Sequence, residues 1–405
     1  MMQVGSEGFV PAALDRLTNV LRGHVERGAA AGLVALVARS DQVHVVAAGA
    51  RNLEAGAPMR RDSLFRIASM TKPITAAAAM LLVEDGVLQL DAPVDRWLPE
   101  LADRRVLRSL DSPLDDTVPA ARAITLRDLM TFRLGLGVIM APPGRHPIQQ
   151  AIADAGLTPG PVPLTMLAGE LVARYGALPL MHQPGERWMY NTGAEILAVL
   201  IQRAAGRRFE DFLTDRVLTP LGMADTGFAV PAAKRDRMAS AYQRDGETGR
   251  LVPWGGDPAA PVFPGGATGL ISCVDDYLAF ARMLMNQGRH DGSPFLAPAS
   301  VALMTGDQLT AAQKAASPFV PGFWDGRGWG FCLSVTTAPD AAIPRGYGWD
   351  GGLGTAWRND PAAGLIGILL TQRPMTSPNP TEVATDFWTL AYEALPQAKN
   401  VRPLT

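Results

Sequence analysis

An α/β (α+β) fold is expected: an antiparallel sheet flanked by helices, built from both ends of the chain, with a mostly helical lobe inserted between them. Two patterns predict it. Helical and strand periodicities occur together near both termini, whereas the middle of the chain carries helical pieces broken by Pro- and Gly-rich loops. Length supports the same division, because 405 residues of 47% hydrophobic content allow a large core with an inserted unit. The expected boundaries place residues 1–75 and 260–405 in the α/β part. Residues 76–259 form the lobe, with a loop-rich insertion at 138–187.

The elements run in order along the chain. Residues 11–28 place Leu14, Leu17, Val20, Leu21 and Val25 on one helical stripe, closed by Gly28. The runs 33–39 and 43–48, separated by Ser40-Asp41-Gln42, predict a hairpin. Residues 71–84 are apolar almost all round, which predicts a buried helix ending at Gly86. Short helical pieces are expected at 126–132 and 165–175, and a longer helix at 194–205 capped by Gly206, leading through 209–218 to a loop-rich region. Beyond Gly265-Gly266 come a helix at 275–286, strand-like runs at 328–335, 346–349, 354–358 and 363–371, and a closing helix at 381–395.

Charge excludes some partners. Lys+Arg number 37 against 39 Asp+Glu, without a long run of either sign, so neither nucleic acid nor an anionic membrane surface is an expected partner. The apolar runs 29–38 and 362–370 are far below the roughly 18–20 residues of a bilayer span. Met1-Met2-Gln3-Val4-Gly5-Ser6-Glu7 has no basic segment leading into an apolar one, so no secretory signal is read and a cytoplasmic location is expected. Cys273 and Cys332 lack CxxC spacing and nearby histidines, which predicts two buried reduced thiols and no metal or redox site. The five histidines, His24, His44, His146, His182 and His290, are scattered and no G-x-S-x-G elbow exists, so neither a Ser-His-Asp triad nor zinc chemistry is expected. His24 and His44 are expected on element surfaces.

Ser69-Met70-Thr71-Lys72 carries the chemistry. Of 13 serines, Ser69 alone has a lysine three residues on, and that spacing in a first helical turn lets the two side chains touch. A serine at the positive end of a helix beside backbone N–H groups, with a lysine desolvated by an apolar helix, meets the requirements of an activated nucleophile. The same tetrapeptide also suits a serine N-cap followed by an exposed lysine.

With its flanks, Phe65-Arg66-Ile67-Ala68-Ser69-Met70-Thr71-Lys72-Pro73-Ile74 and Leu88-Gln89-Leu90-Asp91-Ala92-Pro93-Val94, the chain resembles the serine β-lactamase and penicillin-binding-protein superfamily, in its class C-like esterase branch, the family VIII carboxylesterases. Pro184-Gly185-Glu186-Arg187-Trp188-Met189-Tyr190 is similar to the family's second motif, which implies Tyr190 as partner base. A phenolate favoured by cationic Lys72 would suit it, and sequence leaves open whether Lys72 or Tyr190 takes the Ser69 proton. Where β-lactamases carry Asn two residues after this Tyr, Thr192 stands here, behind Asn191. Trp349-Asp350-Gly351-Gly352 replaces the Lys-Thr-Gly motif, and without the strand lysine neutral esters are the better-matched substrate. The resemblance further implies an oxyanion hole from the N–H groups of Ser69 and Gly352, and substrate contacts from Trp349 and Gly351.

Met130-Thr131-Phe132-Arg133-Leu134-Gly135 resembles a further family segment, in which Arg133 binds an acidic substrate group or makes a structural pairing. Gly265 to Ser272 is expected to be scaffold, and Glu195, Trp329 and Trp357 are candidates for shaping an acyl pocket. The implied activity is hydrolysis of short- to medium-chain carboxylic esters through an acyl-Ser69 intermediate, without cofactor or metal. The 138–187 stretch would form the acyl or alcohol pocket. A β-lactamase or D-amino-acid peptidase, an acyltransferase of the same fold, and a sensor that acylates without turnover are the alternatives.

Overall fold

The run from Leu33 to Ala38 has no polar face because both sides of its strand are covered. In the computed structural model, which describes residues 8–255, 261–338, 344–377 and 379–396, this run is β1 (Gly32–Arg39). It turns through Ser40, at φ 51°, into β2 (Gln42–Asn52). The other strands of the sheet are β3 (Ala57–Pro58), β4 (Arg327–Trp329), β5 (Ser334–Thr336), β6 (Tyr347–Gly351), β7 (Thr355–Asp360) and β8 (Leu365–Thr371). Their order is β4-β5-β6-β7-β8-β1-β2-β3, antiparallel at every step. The two ends of the chain meet where Val34 of β1 faces Leu370 of β8.

Among the helices that contribute to the cores on either side of the sheet are α1 (Pro11–Glu26), α2 (Thr71–Glu84), α3 (Leu126–Met130), α4 (Thr192–Ala205), α5 (Val274–Met285) and α6 (Glu382–Glu393). Leu33, Ala35 and Val37 share a core with Leu17 and Leu21 of α1 and Phe387 and Ala391 of α6. Val34, Leu36 and Ala38 join a larger core that takes in α2, α4 and α5. Every residue of α2 from Thr71 to Leu82 is buried, which accounts for its lack of a polar stripe. α4 ends at Gly206 in the left-handed conformation its sequence position called for.

Several expectations shift. The run 328–335 is two strands, β4 and β5, because Cys332 turns to φ 60° and the N–H of Gly330 bonds the Leu333 carbonyl; the apolar pattern continued through a hairpin. The piece at 126–132 stops at Met130, before Phe132 at φ 58°, and that at 165–175 is displaced to Ala168–Ala177. A helix at Pro147–Asp154, announced only by its proline, lies in the stretch expected to be loop. His24 is buried rather than surface-placed, its Nε2 2.7 Å from Asp386 Oδ2 of α6. Both cysteines are buried and unpaired. Among the described residues no helix is long and apolar enough to cross a membrane.

Candidate active site

Ser69 occupies a single tight turn, Ala68–Met70, that runs directly into α2. The preceding Ala68 sits at φ 44°, a left-handed conformation costing a non-glycine residue on the order of 1–3 kcal/mol and needing support from its surroundings. Tyr277 Oη donates to the Met70 carbonyl at 3.0 Å, Thr355 Oγ1 to the Ile67 carbonyl at 3.1 Å, and the Ile67 N–H to Leu270 at 3.0 Å. β6 presses on the same turn: a Cβ at Gly351 would lie 2.4 Å from the Ile67 oxygen, so only glycine permits the contact.

One turn along α2, Lys72 is wholly buried, and its Nζ donates to Ser69 Oγ at 2.9 Å and to the Ala267 carbonyl at 2.8 Å. Burial drives the Lys72 ammonium down from its ordinary range to about 7, against the opposing pull of Glu195. Glu195, in the first turn of α4, is equally buried and accepts the Ala267 N–H; burial raises its carboxyl and Lys72 works the other way. Ala267 thus bridges the two ionisable groups, its carbonyl to one and its N–H to the other. The segment reaches them only because Gly265 and Gly266 lack side chains: a Cβ there would fall 2.4 Å from Glu195 Oε2 and 2.2 Å from the Ala194 oxygen. The segment expected to be scaffold therefore belongs to the site, and its paired glycines are the one sequence signal of close approach.

Tyr190 enters from the other side. Asn191 holds φ 84° and ψ −60°, and the Thr192 N–H reaches back 3.3 Å to the Tyr190 carbonyl, a strained γ-turn at the start of α4. The Tyr190 hydroxyl hydrogen-bonds the Ser69 side chain, and Trp349 Nε1 donates to it at 2.7 Å. Lys72 Nζ stands 4.8 Å over the Tyr190 ring centre. Burial pushes the phenol well above its ordinary value, and the bonds from Ser69 and Trp349 only partly counter it. Burial thus opposes the expected phenolate and favours the protonated phenol, while the Lys72 ammonium lies over the ring face.

Ser69, Tyr190, Asn191, Trp349 and Gly352 open onto one cavity of ≈ 760 Å³, whose wall also takes Val138, Met140 and Pro161 from the 138–187 stretch. Gly351 lies behind that wall. Arg133 is not among the residues lining it; its side chain donates to Thr131 Oγ1 at 3.0 Å, and Asp128 and Asp91 lie near enough to favour its charged form. Trp329 and Trp357 are buried outside the lining, Trp329 meeting Trp349 edge to face at 4.6 Å between ring centres. Thr192 is buried and Asn191 lines the cavity in its place, a difference that the asparagine's tolerance of positive φ alone could have signalled. Sequence reading also missed three charged residues on the cavity wall, Arg327, Asp350 and Arg358; Arg358 grips Asp350 with two bonds of 2.9 and 3.0 Å. Among the described residues, the one cluster with metal-ligand spacing is Asp225, Cys273 and Asp276, where Asp225 is already paired with Arg237 and Lys234.

Residues 17–386 match the Beta-lactamase family model. Protein Rv1367c of Mycobacterium tuberculosis is 41% identical over 369 residues, covering 89% of this chain and 90% of its own length. Esterase EstB of Burkholderia gladioli is 32% identical over 366 residues, covering 84% and 85%. Among solved structures, EstCE1, described as a hydrolase with promiscuous acyltransferase activity, superposes with a TM-score of 0.77 over 94% of this chain and 99% of its own, at 23% identity. A family match over nearly the whole length, an esterase relative above 30% identity and a shared architecture assign the chain to the serine hydrolases of the β-lactamase and penicillin-binding-protein superfamily, as a member of the Beta-lactamase family.

Proposed function

We propose that this serine hydrolase is a carboxylesterase working through an acyl-Ser69 intermediate. The observation that carries the reading is the 2.9 Å contact of a fully buried Lys72 Nζ with Ser69 Oγ, in a place where burial favours the neutral amine. Ser69 Oγ attacks the ester carbonyl and its proton passes to Lys72. The N–H groups of Ser69 and Gly352 hold the oxyanion, and Tyr190 hands a proton to the departing alcohol as the acyl-enzyme forms. Lys72 reprotonates Tyr190, water then attacks the acyl group by the same route, and the acid leaves.

The test is turnover of p-nitrophenyl acetate and butyrate against a chromogenic cephalosporin, with Ser69→Ala alongside. Sustained ester turnover that exceeds cephalosporin turnover, with both lost in Ser69→Ala, is expected, a drop on the order of 10³-fold or more. Ester turnover surviving that substitution would remove Ser69 from the mechanism, and faster cephalosporin turnover would make the protein a β-lactamase.

A second expectation concerns Glu195. Its carboxylate favours the charged form of Lys72, and a base must be neutral, so Glu195→Gln lowers the lysine's pKa while keeping an acceptor for the Ala267 N–H. The acidic limb of the kcat/KM profile then moves to lower pH by about half a unit or more. A limb that stays in place would show that Glu195 does not set the charge state of the base.

A further inference from the structure

The three charged residues of the cavity wall do not balance. Asp350 is fully engaged, because the Arg358 fork covers both of its oxygens. Arg327, the first residue of β4, is left over. Its Nε is buried without a hydrogen-bond partner, its Nη1 lies 3.5 Å from Ser334 Oγ, and no carboxylate is within ion-pairing distance, among the described residues. The guanidinium is packed with Cζ 4.6 Å from the centre of the Phe323 ring, which holds it against the wall. Burial drives it down from its ordinary range to about 10, Arg358 adds to this, and Asp350 opposes it. A cation half-withdrawn from water is costly unless an anion pairs with it.

From the shared cavity of Arg327 and Ser69, we propose that the substrate is an ester bearing a carboxylate remote from the scissile bond, received by the Arg327 guanidinium. The inference rests on the esterase reading and narrows its substrate class. It reverses the expectation of neutral esters drawn from Trp349: a cation enters the cavity from β4, two strands away from β6 in the sheet. Arginine suits the task because its planar fork pairs two N–H donors with two carboxylate oxygens. A cavity of ≈ 760 Å³ has room for both halves of such an ester.

The carboxylate can belong to the acyl or to the alcohol half, and matched pairs separate them. 4-Nitrophenyl hydrogen glutarate is compared with 4-nitrophenyl pentanoate, and 3-acetoxybenzoate with phenyl acetate, in the native protein, Arg327→Met and Arg327→Gln. Calorimetric titration with glutarate, against pentanoate, is run on Ser69→Ala and on each Arg327 variant. In at least one pair the carboxylate ester is expected to have kcat/KM about tenfold or more above its neutral partner. That ratio collapses in both Arg327 variants, and the pair showing it identifies which half carries the charge. Glutarate binds Ser69→Ala and not the Arg327 variants.

Ratios near one in both pairs of the native protein, or ratios indifferent to Arg327, overturn the proposal. So does glutarate binding that survives loss of the guanidinium. Failure of the esterase reading looks different: no ester of the four is turned over in a Ser69-dependent way, while Arg327-dependent glutarate binding still supports the anion subsite.

Discussion

Lys72→Met is expected to reduce ester turnover on the order of 10³-fold or more while the protein stays folded. The side chain is fully buried, and methionine keeps its length and apolar stem, so the core packed around α2 has no cavity to absorb. What disappears is the amine 2.9 Å from Ser69 Oγ, the proposed base. The variant also changes how stability depends on pH. Glu195 is buried, its carboxyl is already raised by burial, and only Lys72 draws it back down. Without the ammonium the folded-state pKa rises further, so the folded protein binds a proton that the unfolded chain releases near the ordinary value of 4.5. Stability of Lys72→Met therefore falls as pH rises from about 4.5 through the raised folded value. Thermal unfolding across that range checks the sign, and adding Glu195→Gln to Lys72→Met should flatten the curve. A melting temperature that climbs with pH in Lys72→Met would mean that Glu195 is paired to something other than Lys72.

How much of the molecule is legible in the chain depends on whether a feature is local. The Ser69–Lys72 contact is fixed by helical spacing alone, and α2 declares its burial through its composition, so both can be read without a structure. Gly206 and Gly86 mark helix ends for the same reason, each standing at positive φ just past the last apolar residue. The partners of Lys72 are another matter. Ala267 and Glu195 lie 195 and 123 positions away, and alanine carries no chemistry in its side chain; only its backbone acts. The hairpin between β4 and β5 was hidden because Phe331, Cys332 and Leu333 are apolar and buried, and a turn in a core carries no polar signature. Arg133 and Arg327 look alike in sequence, and only tertiary placement puts one beside Thr131 and the other on the cavity wall. The charge beside Tyr190 could be inferred from sequence, but not the depth of its burial, which opposes the phenolate.

That opposition makes Tyr190→Phe the sharper test of mechanism. Phenylalanine keeps the ring contacts with Phe132, Trp349 and Phe319, at 5.5–5.8 Å between centres, and removes only the hydroxyl joining Trp349 Nε1 to Ser69. In the proposed mechanism a protonated tyrosine serves as the acid that hands a proton to the departing alcohol, so its loss should scale with how much that alcohol needs the proton. p-Nitrophenolate leaves unaided and ethoxide does not. With ethyl butyrate, Tyr190→Phe is expected to lose about 10²–10⁴-fold in kcat/KM, the range of a general acid. With p-nitrophenyl butyrate the loss should be at least tenfold smaller. The two esters give the same butyryl-Ser69, so deacylation is common to both and the difference isolates departure of the alcohol. Had Tyr190 instead been the phenolate that activates Ser69, nucleophilic attack would suffer whatever the leaving group, and both esters would lose alike. Equal losses would return the proton from Ser69 to Tyr190; a loss confined to the poor leaving group leaves Lys72 as the base, with Trp349 holding the acid toward Ser69.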